Sequence, residues 1–280
     1  MHIHRIRIVG LALLCSLLGT MARADNKLNC TLLDDTGKPP EKIEVVLINT
    51  ASNKQWKKKT DDKGMVEFKG LPDGTYRLEG AVQGFLLTKA DGIELAGNAA
   101  KTCSPVLVSV NKLNELLSGS MAAARNAKPD EAIEKAKAAV ELAPTIPQTH
   151  NMLAVAYATK GMVEEAMSSV KKAAELDKQF EKNVIPIQME AIGAQASQAL
   201  NKQDFDGAIA KYKQIAELRP NEPSVYYNMA LAYGHKGDFD NAIKSIEKAI
   251  ELKPDDLEFK QRKMQLQDMY LKSTEKALTK

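Results

Sequence analysis

Residues 223–254 read PSVYYNMALAYGHKGDFDNAIKSIEKAIELKP, and their spacing decides the C-terminal half of the fold. Tyr226, Met229, Ala230 and Tyr233 recur three and four apart, the interval that lines up one face of a helix. Gly237-Asp238 interrupts the pattern, a second apolar stripe follows in Ala242, Ile246, Ala249, Ile250 and Leu252, and Pro254 closes it. The stretch is two helices and a turn. Neither helix buries its stripe alone, so the unit needs neighbours of its own kind.

The neighbours lie 34 residues apart. Gly237-Asp238-Phe239 steps back to Gln203-Asp204-Phe205, Ala242 to Ala208, and Pro254 to Pro220. Tyr226, Ala230 and Tyr233 on the first helix, with Ala242, Ala249 and Pro254 on and after the second, make this stretch resemble the tetratricopeptide repeat family. An upstream copy at 147–180 keeps Ala154, Tyr157, Gly161, Ala166 and Ala173 in register, and one at 113–146 keeps Ala132, Ala139 and Pro144. The copy at 189–222 departs, with Ala199 at the aromatic position and Ile215 at the second-helix alanine. Residues 112–256 are therefore expected to form four repeats, at 113–146, 147–180, 189–222 and 223–256. Eight residues, Glu181 to Gln188, stand outside the period; Pro186 among them predicts a kink, a loop or a late helix start. Residues 257–280 read as one more helix, with Leu257, Met264, Leu271 and Leu278 seven apart. A capping helix over the end of the stack is the first reading. A dimerising seam is the second, ranked lower because Lys260, Gln267 and Thr274 are polar.

The resemblance implies a concave surface built from first helices. Carried onto this chain, that stripe takes in Leu117, Met121 and Arg125, then Asn151, Val155 and Thr159, then Ser197 and Asn201, and finally Tyr227, Leu231 and His235. Its mixed lining suits an extended peptide or a helix of another protein. Members that clamp a terminal carboxylate use asparagine where Val155 and Leu231 stand, so no such clamp is expected here.

The chain opens with His2, His4, Arg5 and Arg7, continues almost wholly apolar from Ile8 to Leu18, and offers Ala22-Arg23-Ala24. That is the pattern of a signal peptide, residues 1–24, cut before Asp25, and it predicts a periplasmic or secreted protein. The apolar run is too short for a permanent membrane span. Removing it takes away Arg5, Arg7, Arg23 and no acid, leaving 36 basic and 36 acidic residues. A net charge of zero supplies no long-range field for nucleic acid or an anionic membrane. Lys57-Lys58-Lys59, beside Asp61 and Asp62, reads as a solvated strand and turn.

Residues 25–111 differ in kind. Turn signals at Asp35-Thr36-Gly37, Asp61-Asp62-Lys63-Gly64, Pro72-Asp73-Gly74 and Asp91-Gly92 separate short runs of strand formers. Strands are expected over 28–33, 42–49, 55–60, 65–69, 75–82 and 106–110. Val66 and Phe68 share a face, and Tyr76 and Leu78 are expected to pair against them from the next strand. Thr60-Asp61, Gly64, Phe68, Leu71-Pro72-Asp73-Gly74, Tyr76 and Gly84-Phe85 resemble the carboxypeptidase-regulatory-like family, a transthyretin-like sandwich. The fold class is thus multidomain: an all-β sandwich (transthyretin/Ig-like) followed by an all-α tetratricopeptide solenoid.

Cys30 and Cys103 stand near the two ends of this segment, an even count that suggests one disulfide in an exported chain; two buried free thiols is the other reading. His150 and His235, in separate repeats and without paired cysteines, offer no metal site, and no cofactor is expected. No phosphate loop, His-Glu-x-x-His pattern or glycine-flanked serine is present. The reading is an exported, non-catalytic scaffold that binds another protein. The alternative is a carbohydrate- or envelope-polymer-binding protein using the β-sandwich, with Trp56, the one tryptophan, as a possible sugar or partner contact.

Overall fold

The computed structural model describes residues 25–34, 36–39, 42–80, 84–88 and 91–278; the expected signal peptide lies outside them. A strand-rich part precedes a helical part, and the chain divides into two compact units. The first runs to Leu33 and includes Lys38–Ala81 and Ala90–Pro105; the second comprises Asp34–Gly37, Val82–Lys89 and Val106–Lys280.

The strands are β1 (Asn26–Thr31), β2 (Leu33–Asp34), β3 (Glu44–Asn49), β4 (Gln55–Lys59), β5 (Met65–Leu71), β6 (Gly74–Gly80), β7 (Phe85–Thr88), β8 (Ile93–Leu95), β9 (Ala100–Cys103) and β10 (Val106–Ser109). They form three sheets, ordered β5-β1-β9, β4-β3-β6-β8 and β2-β10-β7. Strands β5 and β6 alternate as expected: Val66, Phe68, Tyr76 and Leu78 are buried, while Glu67, Arg77 and Glu79 are exposed. They do not pair with each other, however. Phe68 faces Leu28 of β1, and Leu78 faces Leu47 of β3. The turn between them carries the chain from one sheet to another, held by the Tyr76 hydroxyl donating to the Pro72 carbonyl at 2.7 Å and by buried Asn26, whose Nδ2 donates to the Leu71 carbonyl at 3.0 Å and to Asp73 Oδ1 at 2.8 Å. A turn tied at both sides cannot close as a hairpin.

Strands β7, β8 and β9 escape the alternation rule for separate reasons. Strand β7 is FLLT, largely unbroken apolar sequence, β8 has three residues, and β9 is almost entirely exposed. Strand β9 is held by parallel pairing with β1, which sets Cys30 opposite Cys103. The two cysteines are bonded, with Cα atoms 4.5 Å apart.

The second unit takes β10 along with the helices, so its start lies upstream of the composition change near Asn111. Val108 shares a core with Leu113, Ala139 and Ala143, and partly buried Leu86 packs on it. The helices are α1 (Val110–Arg125), α2 (Pro129–Leu142), α3 (Pro147–Lys160), α4 (Val163–Leu176), α5 (Val184–Asn201), α6 (Phe205–Leu218), α7 (Pro223–Lys236), α8 (Phe239–Leu252) and α9 (Leu257–Leu278). Consecutive helices pair at alanines without exposed surface: Ala132, Ala139, Ala166, Ala173, Ala208, Ala242 and Ala249 are all fully buried. A methyl is the largest group that lets two backbones approach so closely.

The turn between the helices of each pair repeats in its backbone φ even where its letters differ. Ala127, Gly161, Gln203 and Gly237 all have positive φ, at 55°, 80°, 59° and 82°. Two of them hold this left-handed conformation with a side chain attached, which costs about 1 kcal/mol. Gln203→Gly is therefore expected to stabilise the helical unit by roughly 0.5–1 kcal/mol. A rise in urea midpoint at unchanged slope is the check, and a fall would contradict it.

The eight residues outside the period become neither a loop, a kink nor a late start. A 3₁₀ turn covers Lys178–Asn183, and α5 begins at Val184, ahead of the repeat. Pro186 sits in the first turn of α5, where a missing N–H forfeits no intrahelical bond. At the weaker copy, Ile215 and Tyr212 are buried in one cluster with Ile192, Ala196 and Ala208, and Ala199 is only partly buried against it. The bulk missing from the first helix is supplied by the second.

Helix α9 packs on the last pair, through residues other than the heptad stripe. Phe259 and Leu266 are buried with Ala230, Ala242, Ile246 and Ala249, whereas Leu257, Met264 and Leu271 are 70%, 62% and 62% exposed. The side chain of Leu278 lies outside the described residues. Gly234 makes the close approach possible, since a Cβ there would meet Leu266 Cδ2 at 2.9 Å.

Candidate functional site

The first helices of the first two repeats, α1 and α3, lie beside each other. Leu117 and Met121 of α1 and Asn151 of α3, three members of the expected stripe, line one pocket of about 460 Å³. Asn114, Ser118, Gln148 and Met152 complete it. The lining joins apolar Leu117, Met121 and Met152 to the neutral amides of Asn114, Gln148 and Asn151, so the pocket can take an aliphatic side chain while donating and accepting hydrogen bonds along a peptide backbone. Met121 is 41% exposed, open to whatever enters. Asn151 Oδ1 accepts a hydrogen bond from Asn183 Nδ2 at 2.8 Å.

The rest of the stripe behaves differently. Val155 and Thr159 are half-buried further along α3, where the Thr159 hydroxyl donates to the Val155 carbonyl at 3.0 Å. Ser197 is exposed and donates to the Gly193 carbonyl at 3.1 Å; Asn201 and Arg125 are exposed at the ends of α5 and α1. At the C-terminal end the stripe is already engaged. The Tyr227 hydroxyl donates to Glu258 Oε1 at 2.6 Å and its ring stacks on Phe259 at 5.1 Å. Burial and the Glu258 carboxylate push the Tyr227 hydroxyl above its ordinary pKa, against the pull of Arg262. His235 stacks on Phe205 at 5.8 Å, and Leu231 is half-buried between these two positions. The pocket therefore lies at the N-terminal end of the stripe, and contacts from Glu258 and Phe259 occupy Tyr227 at the other.

Several residues here escaped the sequence reading. Asn114 and Gln148 lie one turn before Leu117 and Asn151 on the same face, and Glu190 lies two turns before Ser197; extending the stripe toward each helix start would have found them. Glu190 as a residue is exposed, yet desolvation of its carboxyl raises its pKa, and the neighbouring Thr159 hydroxyl opposes the shift.

Histidine 150 has a structural task. Its Nε2 lies 2.8 Å from the Pro144 carbonyl, and one repeat pair later the Tyr226 hydroxyl donates to the matching Pro220 carbonyl at 2.9 Å. Imidazole and phenol do the same work at the same repeat position. An ion pair also recurs across repeats: Lys160 with Asp130 and Lys236 with Asp206, each at 2.6 Å and each 30 residues apart. Both are largely exposed and set register more than stability.

Trp56 lies on β4, an edge of its sheet, opposite Leu47. It is half-buried, its ring is 5.8 Å from that of fully buried Tyr76, and Lys54 Nζ sits 5.1 Å from its centroid. Lys58 Nζ donates to the Glu67 carbonyl at 2.7 Å, and Lys57 and Lys59 are solvated on the same edge. Among the described residues no group of histidine, cysteine and carboxylate side chains could hold a metal ion, and no helix is long and apolar enough to cross a membrane.

Residues 119–179 and 223–256 match family models described as tetratricopeptide repeat, and residues 200–237 match one described as TPR repeat. Residues 119–179 and 200–256 of the helical part are thus tetratricopeptide repeats. Such repeats are protein–protein interaction modules, generally without catalytic activity of their own. Among solved structures, the chain is similar to MamA 41-end from Desulfovibrio magneticus RS-1, at 18% identity and a TM-score of 0.34, covering 61% of this chain and 97% of that one. It is similar to a tetratricopeptide repeat protein from Parabacteroides merdae ATCC 43184, at 18% identity and 0.38, covering 57% and 60%. It is also similar to a streptococcal ancillary pilin, at 17% identity and 0.27, covering 31% and 33%. At such scores no functional conclusion follows from them. No curated protein matches the chain.

Proposed function

We propose that this chain is an exported, non-catalytic scaffold whose tetratricopeptide repeats hold a peptide or helix of another protein against their first helices. The observation that carries this reading is the pocket of Leu117, Met121, Asn151 and Met152, which joins apolar side chains to neutral amides on the first helices. Export is supported by the basic start, the apolar run and Ala22-Arg23-Ala24, and by a disulfide that suits an oxidising compartment. The strand-rich unit is read as a transthyretin-like sandwich of the carboxypeptidase-regulatory type. Its alternating β5 and β6 and the Leu71-Pro72-Asp73-Gly74 turn support that reading. The carbohydrate alternative has less behind it, because Trp56 is half-buried beside buried Tyr76.

Crosslinking capture from the native envelope tests the scaffold reading. Met121→Glu/Asn151→Ala places a charge among the apolar side chains and removes an amide, and is expected to lower recovery of a specific partner about tenfold or more, with helical circular dichroism unchanged. Equal recovery by both proteins would overturn it.

A further inference from the structure

The end of the repeat stack carries apolar surface that the stack itself does not use. Helix α9 buries Phe259 and Leu266 against α7 and α8, and the ring of Tyr270 lies 6.2 Å from that of Phe239. Leu257, Met264 and Leu271 follow one another every seven residues on the opposite side of the helix, and all three are exposed. A helix that only closes a solenoid presents a polar outer face to water. This outer face is not polar, so α9 covers its neighbours and is left with a seam of its own.

The charges beside the seam decide what fits it. Two exposed acids, Asp268 and Glu275, each stand four residues beyond an apolar member of the stripe, which disfavours an anionic membrane surface. Asp268 is paired along the helix with Lys272, both exposed, a pair weak enough to share its carboxylate. Leu257 and Leu271 lie seven residues either side of Met264, and Lys260 and Asp268 four either side. Two copies of α9 running in the same direction set Lys260 against Lys260 and Asp268 against Asp268. Running in opposite directions about Met264, they set Leu257 on Leu271 and Lys260 on Asp268, each contact made twice. Charge complementarity selects the second arrangement.

We infer that the chain forms a twofold-symmetric dimer through antiparallel α9 helices, with Met264 on the axis. The seam runs along about 21 Å of helix, and one helix pair of that length buries less than the roughly 1,600 Å² of a standard interface, so monomer and dimer exchange with concentration. On the scaffold reading the dimer offers two pockets to one partner assembly, though dimerisation itself does not depend on that reading.

Sedimentation equilibrium of the mature protein over about 5 to 500 µM tests this, and wild type is expected to pass from monomer to dimer within that range. Met264→Glu brings two carboxylates together on the axis and is expected to weaken association about a hundredfold, with helical circular dichroism unchanged. Lys260→Asp and Asp268→Lys each oppose like charges at two contacts and are each expected to weaken it about tenfold. Lys260→Asp/Asp268→Lys is expected to restore the wild-type affinity, and Met121→Glu to leave it unchanged. A monomer throughout the range, or a dimer indifferent to Met264→Glu, would overturn the inference. So would a combined charge swap no tighter than the single ones, the result a parallel seam would give. Monomeric binding to vesicles of phosphatidylglycerol and phosphatidylethanolamine, lost in Met264→Glu, would assign the stripe to a membrane surface and overturn it as well.

Discussion

Reduction of the Cys30–Cys103 bond is expected to destabilise the strand-rich unit by roughly 4 kcal/mol and to leave the helical unit in place. The bond closes a stretch of 73 residues, so the unfolded chain gains much freedom when it opens. It also fastens β9, a four-residue strand that is almost entirely exposed and buries little of its own. Trp56, the single tryptophan, lies in this unit beside buried Tyr76, so its fluorescence follows the strands while far-ultraviolet circular dichroism follows the helices. After reduction, or in Cys30→Ala/Cys103→Ala, the fluorescence transition should move to much lower denaturant and the helical signal should keep its midpoint. A fluorescence transition that stays in place after both thiols are titrated free would contradict the expectation.

The second large effect belongs to Ile246. It is fully buried among Ala230, Ala242, Ala249, Phe259 and Leu266, where α7, α8 and α9 meet. Ile246→Ala is expected to cost roughly 2–5 kcal/mol, because small neighbours on α7 and α8 cannot expand to fill the space. Repeats feel only their neighbours, so the loss concentrates at one end. Amide exchange should accelerate in α7, α8 and α9 while α1 to α4 keep their protection. Uniform acceleration across the helices would argue against a stack of semi-independent units.

Much of the helical half was legible because its signals are local and repeated. Two stripes recur through four copies, 34 residues apart except across 181–188, and the structure gives each pair the same left-handed turn whether the letter is Gly161, Gly237, Ala127 or Gln203. The strand half was legible strand by strand and misread in its pairing. Alternation in β5 and β6 says which side chains face inward, but only the long-range bonds of Asn26 decide that the two strands join different sheets. Helix α9 shows the same limit. The seven-residue stripe of Leu257, Met264 and Leu271 is exposed, while the buried pair is Phe259 and Leu266, also seven apart, which meets α7 and α8. For the site, the stripe found Leu117, Met121 and Asn151 but not Asn114 and Gln148, which lie one turn nearer each helix start on the same pocket.

The central claim is that the first-helix pocket of Leu117, Met121, Asn151 and Met152 holds a partner. A photo-crosslinking amino acid placed at position 121, and separately at exposed Lys171 on the second helix of the next repeat, tests it directly in the native envelope. Crosslinks to one polypeptide from position 121, reduced by Asn151→Ala and missing from position 171, are the expected result. The same product in equal yield from position 171, or a product only from position 56, would contradict it.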